Sequence, residues 1–420
     1  MSATDHHRTI EAVWRIESAR VIAGLTRLTR DIGLAEDLAQ EALLAALEQW
    51  PQSGVPENPG AWLTAAAKRR AIDLFRRNAV AERKHQDLAR DLATLEQTVP
   101  DLNSDLDDPI GDDLLRLVFI SCHPILSSES RAALTLRLLG GLTTPEIARA
   151  FLTPEPTIAQ RIVRAKRILA EKHIPFEVPR GPELAARLYS VLEVIYLIFN
   201  EGYSATAGDD LIRPTLCEDA LRLGRILAEL TPNEPEVHGL VALMEIQASR
   251  TRARIRPTGE PILLLEQNRA HWDLLLIHRG LTAIDRAHKI GKPRGPYLLQ
   301  AEIAACHARA RKPEETDWRR IVSLYTELGH LTPSPVIELN RAVAICMVHG
   351  PQAALDLVEA LATDPSLDRY HLLPCVRADF LLKLNRPTEA RYHFEQAAAL
   401  TQNTRERALL LSRAAACQTK

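Results

Sequence analysis

The stretch LTTPEIARAFLTPEPTIAQRIVRAKRIL, Leu142–Leu169, holds three prolines yet reads as two helices. Pro145 follows Thr144 and Pro154 follows Thr153. A proline is suited to a first helical position, where no backbone donor is needed, and a threonine before it can cap the start. The first helix is expected from about Pro145 to Phe151 and the second from about Pro154 to Glu171. Only Leu152 and Thr153 lie between them, the short connection of a helix-turn-helix. Pro156 falls in the first turn, where it is tolerated. On the second helix Ile158, Ile162, Ala165 and Leu169 recur at steps of four, three and four and form one stripe to be buried. The opposite face carries Thr157, Gln160, Arg161, Arg164 and Arg167, whose hydroxyl, amide and guanidinium groups suit base edges and phosphates in a major groove. Any solvated helix face is polar, so the rest of the chain must decide between the two readings.

At 420 residues the chain is long enough for two or three domains. Ala, Leu, Arg and Glu dominate and no sustained strand alternation occurs, so an all-α fold is expected. The net charge of −2 argues against a uniformly basic coat, yet charge is concentrated locally. KRRAIDLFRR, with Arg83 and Lys84 beyond it, and RIVRAKR are strongly basic, whereas DLNSDLDDPIGDD from Asp101 to Asp113 is acidic. Nothing in that acidic segment neutralises it, so it is expected to stay extended. Six cysteines are scattered singly, without zinc-like or disulfide spacing, and read as core residues in a reducing compartment. His6 and His7 carry no metal expectation. The N-terminus lacks the apolar run of a signal peptide, and VLEVIYLIF is too short to span a bilayer, so a cytoplasmic protein without a membrane partner is expected. No Gly-rich phosphate loop, nucleophile elbow or metal-ligand pair is present, so neither catalysis, metal nor cofactor is expected.

Between Ile10 and Trp50 apolar residues recur with helical period. In GLAEDLAQEALLAALEQW, Leu34, Leu38, Ala42 and Leu43 share a side, leaving Asp37, Gln40, Glu41 and Glu48 outside. The loop PQSGVPENPG is expected to break the helix from Pro51 to Gly60. The next helix, Ala61 to Asn78, begins apolar and ends basic, presenting Lys68, Arg69, Arg70, Arg76 and Arg77. A helix dipole favours cations there, but five in ten positions exceed that need.

An acidic helix AEDLAQEALLAAL, a loop, NPGAWLTAAAKRRAIDLFRR, an acidic linker and a terminal helix-turn-helix, in that order, resemble the extracytoplasmic-function group of sigma-70-family RNA polymerase sigma factors. The resemblance covers about the first 175 residues. It implies that the acidic helix docks on core RNA polymerase through Asp37, Gln40 and Glu41. It implies that the loop from Pro51 to Pro59 holds a flipped base of the minus-ten element of promoter DNA and that the helix after it tracks the DNA. The helix-turn-helix would read the minus-thirty-five element. Trp62, Lys68, Arg69, Arg76 and Arg77 could supply a stacking surface and a phosphate track. Trp62 could equally pack as core against a neighbouring helix.

After Arg180 a new series of helices is expected to run to the C-terminus. GPQAALDLVEALATDP and RPTEARYHFEQAAALTQ match at a period of about 36 residues, close to that of tetratricopeptide repeats, with Pro351 and Pro387, Ala354 and Ala390, and Leu361 and Ala397 in register. Such pairs build a solenoid with a concave face. Ser249–Gly280 reads as a ligand or polymerase contact or as an irregular connection between helices. Asn200, Glu201 and Tyr203 read as site residues or as the end of a helix before a glycine turn. The whole resembles a sigma-factor subgroup with a tetratricopeptide-like extension, which implies an extension that regulates the factor and takes a protein or small-molecule ligand. The expected domains are residues 1–90 (region 2), 91–111 (linker), 112–176 (region 4) and 181–420 (extension). The competing reading is a helix-turn-helix activator with a helical-repeat sensor domain, which leaves the acidic helix without a purpose.

Overall fold

The computed structural model describes residues 3–85, 109–151, 153–205, 207–208, 211–256 and 259–417. The chain divides into two compact units, residues 1–194 and 195–420. In the first, α1 (Ala3–Thr29), α2 (Ile32–Ser53), α3 (Pro59–His85) and α4 (Pro109–Ser121) pack together, and α5 (Ser128–Leu138), α6 (Thr144–Ala150) and α7 (Glu155–Glu171) follow. Asp31 starts α2 by accepting from Leu34 N at 3.0 Å, which satisfies one of the free amides of the first turn. The expected break at Pro51 does not occur: α2 runs through it to Ser53 and stops at Gly54, whose φ of 84° suits glycine. A proline removes a single ladder bond, which costs little this close to the end of a helix. Asn58 then accepts from Ala61 N at 3.0 Å, so α3 begins at Pro59 and extends past Asn78 to His85.

The two helices of Leu142–Leu169 form, but their caps differ from expectation. Thr143, not Thr144, caps α6: its hydroxyl accepts from Glu146 N, and the Glu146 carboxylate accepts from Thr143 N at 2.7 Å, a capping box. Thr153 caps nothing, its hydroxyl donating to Phe151 O, and Pro154 itself is the N-cap of α7. Leu152 lies outside the described residues. The stripe Ile158, Ile162, Ala165 and Leu169 is buried as the spacing predicts.

The acidic segment also needs correction. Residues 101–108 lie outside the described part, but α4 carries Asp113, which is buried and bonded to Arg116 at 2.9 Å and to Arg27 of α1 at 3.2 Å. The expectation of an extended chain fails at residues 109–113, which are helical, and Asp113 finds partners outside the acidic segment, on α1 and one turn further along α4. Past Arg180, α8 (Pro182–Tyr203) starts by completing the first unit: Arg187 donates to Phe119 O at 2.9 Å and Ser190 to Cys122 O at 2.6 Å.

The second unit holds the rest of α8 followed by α9 (Pro214–Leu230), α10 (Pro235–Ala248), α11 (Leu274–Ile290), α12 (Pro296–Arg309), α13 (Trp318–Leu331), α14 (Pro335–His349), α15 (Pro351–Leu361), α16 (Leu372–Lys383), α17 (Pro387–Leu400) and α18 (Thr404–Ala416). Six of these open on a proline, where its fixed φ favours a helix start. Neighbouring helices pack pairwise, and two of the three expected pairs match: Pro351 and Pro387 begin α15 and α17, and Ala354 and Ala390 are fully buried, whereas Leu361 is half-buried where Ala397 is fully buried. Gly239 of α10 lets α12 approach so closely that a Cβ there would lie 2.6 Å from Leu298 N. Beside it Glu236 accepts from Gly295, Tyr297 and Leu298 amides and caps α12 from a neighbouring helix. The unit is tied end to end. β1 (Ala207–Gly208) pairs in parallel with β2 (Gln402–Asn403), and the Asn403 side chain donates to Ala205 O at 3.1 Å.

Candidate functional site

Helix α7 sits against α5 and α6 through its buried stripe, so the remaining face is turned outward. Gln160, Arg164 and Arg167 are exposed; Thr157 and Arg161 are half-buried. Arg167 makes a loose pair with Glu171 at 3.5 Å, both side chains well exposed, so its guanidinium is free to exchange that partner for a phosphate. These five side chains lie on the side of α7 away from its buried stripe.

On α3, Lys68 is half-buried and Arg69, Arg76 and Arg77 are exposed. Arg70 is partly spent, pairing with Glu41 of α2 at 3.4 Å. Trp62 is half-buried with its ring edge-on to the fully buried Trp50, centroids 5.3 Å apart. Trp62 is therefore packed against the core while part of it stays accessible.

On α2, Asp37 and Glu41 are exposed, one turn apart. Gln40 is not: it is half-buried and donates to Glu36 Oε1 at 2.7 Å. Glu36 is the residue that periodicity missed. Its side chain is 5% exposed, Arg137 of α5 lies 2.6 Å from it, and Lys166 of α7 pairs with its second oxygen. Burial alone would raise the Glu36 pKa, but Lys166 and Arg137 outweigh it and hold the carboxyl below its ordinary range. Arg15 of α1 adds a bond to Glu146 of α6 at 2.6 Å, and Gly141, at φ 69°, brings the turn before α6 against α1. The only sequence signal was register: Glu36 stands between Ala35 and Leu38, both buried, and Lys166 adjoins the buried Ala165. Among the described residues no group of His, Cys, Asp or Glu is placed to hold a metal, and no helix is long and apolar enough to cross a membrane.

Residues 15–80 match the family model for sigma-70 region 2, residues 116–169 that for sigma-70 region 4, and residues 187–288 a family of unknown function, DUF6596. An uncharacterized protein of Rhizobium meliloti (strain 1021) is 42% identical over 396 residues, 93% of this chain and 92% of that protein. The probable ECF RNA polymerase sigma factor SigI of Mycobacterium tuberculosis is 27% identical over 175 residues, 41% of this chain and 58% of its own length. The ECF RNA polymerase sigma factor SigK of Mycobacterium ulcerans is 32% identical over 155 residues, 35% of this chain and 76% of its own length. The region 2 match falls on the part for which a plain helix-turn-helix activator has no use, and by both matched regions and the span shared with SigK the chain belongs to the ECF RNA polymerase sigma factors.

Proposed function

We propose that α2 docks on core RNA polymerase through Asp37 and Glu41, with Gln40 joining once it leaves Glu36, and that α7 reads the upstream promoter element. Gln160, Arg161 and Arg164 would contact bases and phosphates, with Thr157 and Arg167 at the ends of the same face. Lys68, Arg69, Arg76 and Arg77 would follow the melted strand near the minus-ten element, and the open edge of Trp62 would stack on a base. The chain acts as a specificity subunit in the cytoplasm, with no catalysis of its own. The observation that carries this reading is the division of faces on α7: its apolar stripe is buried while its exposed side keeps amide and guanidinium donors.

The helical extension regulates the factor and takes a ligand. In support, Ala205–Gly208 in its early part are bonded to Gln402–Asn403 in its late part, so a molecule held at that junction could change its shape. The test is core capture without DNA, followed by in vitro transcription with purified core polymerase. The full chain should bind core, and Asp37→Arg should bind it at least tenfold more weakly, as a reversed charge at an interface does. Core binding that requires promoter DNA would overturn the docking role. A shortened chain for this assay must keep residues to Val194, because ending near Arg180 removes Arg187 and Ser190 from their bonds to Phe119 and Cys122.

A further inference from the structure

The basic segment that follows α10 turns inward. From Ser249 it runs through three short 3-10 turns, Thr251–Ala253, Leu264–Glu266 and Arg269–His271, joined by a bridge between Ile255 and Pro261. This is the irregular connection that the sequence allows, yet two of its arginines are spent on an unusual arrangement. Arg254 lies over the Tyr203 ring, its guanidinium carbon 3.7 Å from the centroid, and donates to Tyr203 O. Arg250 stands 5.8 Å from the same ring and 5.8 Å from Trp272. Cation–π contact offsets part of the cost of withdrawing a guanidinium from water. It does not cancel the charge, and two cations sharing one aromatic ring repel each other.

Among the described residues neither arginine has a carboxylate within ion-pair distance. Glu406 is the carboxylate nearest in effect, but it already accepts from Thr401 at 2.9 Å and pairs with His371 at 3.3 Å. Burial lowers the Arg254 pKa and the charge of Arg250 adds to that, while Tyr203 and Glu406 oppose it. A cavity of about 280 Å³ opens onto these groups, walled by Leu211, Ile262, Leu264 and Leu410. Gln267 also lines it: the residue is 6% exposed, its amide nitrogen donates to Ile262 O at 3.1 Å, and its carbonyl oxygen has no partner. A half-buried guanidinium pair without a carboxylate at ion-pair distance and an orphaned buried acceptor each leave free energy that a ligand could recover.

We propose that this cavity binds a small organic monoanion with an apolar body, whose carboxylate meets Arg250 and Arg254 and whose hydroxyl donates to Gln267 Oε1. The volume lies just under the roughly 300–1,000 Å³ of drug-sized sites, which limits the ligand to about one ring. Its walls come from the end of α8, the loop after α10, α16 and α18, the same segments that close the unit end to end, so the ligand braces that closure. The site rests on the reading of the extension as a ligand-taking regulator, and binding is measured separately from transcription for that reason.

The probe is 4-hydroxybenzoate, titrated into the full chain by calorimetry, beside benzoate, which lacks the donor, and 4-hydroxybenzamide, which lacks the charge. The wild-type chain should bind 4-hydroxybenzoate saturably, benzoate roughly tenfold more weakly and the amide not measurably. Arg254→Met should abolish binding of both acids, and Gln267→Leu should erase the preference for 4-hydroxybenzoate over benzoate while retaining benzoate. The second variant keeps the test decisive if the first folds poorly. No saturable binding of either acid by the wild-type chain, or equal binding by both variants and wild type, overturns the site. Binding that follows this pattern but leaves in vitro transcription unchanged supports the site and removes the regulatory reading of the extension.

Discussion

Glu36 on α2 and Arg137 on α5 meet at 2.6 Å, and with Lys166 of α7 they form a buried charge cluster that joins the two sigma regions within one unit. The helix proposed to touch polymerase and the helix proposed to read DNA therefore share one carboxylate. Because Gln40 is held by the same carboxylate, part of the proposed docking surface is engaged as long as the cluster stands.

Replacing that carboxylate should separate the two regions. Glu36→Gln leaves Arg137 and Lys166, each about one-fifth exposed, without their counter-ion, so the cost should fall at the lower end of the range for a broken buried pair, about 3 kcal/mol at pH 7. The Glu36 pKa is depressed in the folded chain, so its contribution is present above the unfolded value and is lost as the pH falls through the folded one. Thermal unfolding from pH 7 down to pH 3 should show the wild-type chain losing more stability than Glu36→Gln. Parallel curves would show that the cluster contributes nothing through ionisation.

Among the described residues Arg164 has no ion-pair partner, and it is exposed on α7. Arg164→Ala should weaken binding of the polymerase holoenzyme to an upstream-element duplex by about 1–3 kcal/mol and leave core affinity unchanged. Footprinting that shows full upstream protection by the variant would remove this residue from the reading face.

Asp113 is a structural residue. Asp113→Asn should lower stability by about 2 kcal/mol, since it weakens charge-assisted bonds to Arg27 and Arg116 whose own side chains can rehydrate. Urea unfolding measures the loss. Non-specific DNA binding at low salt should not rise, because a buried carboxylate paired with two guanidinium groups projects little field; an increase would show that Asp113 does repel nucleic acid.

Much of this protein was legible from periodicity and punctuation. The buried stripe of α7 and the proline-opened helices of the extension follow from local rules: 3.6-residue spacing selects the buried side, and proline suits a first turn. So does the exposure of Arg69, Arg76, Arg77, Gln160 and Arg164, because a charge beyond an apolar stripe has only water to face. Helix ends were less legible, since Pro51 and Thr153 carry local signals that the surrounding turns overrode. The pairings that no local rule contains were decided by tertiary structure alone. Glu36 meets Arg137 across 101 residues, and the Asn403 side chain reaches Ala205 across 198. Arg254 and Gln267 turn inward onto a cavity whose walls come from four separate stretches of chain. Sequence sets which side of each helix seeks burial; which charges then find a partner, and which are left waiting for one, depends on the elements that packing brings alongside.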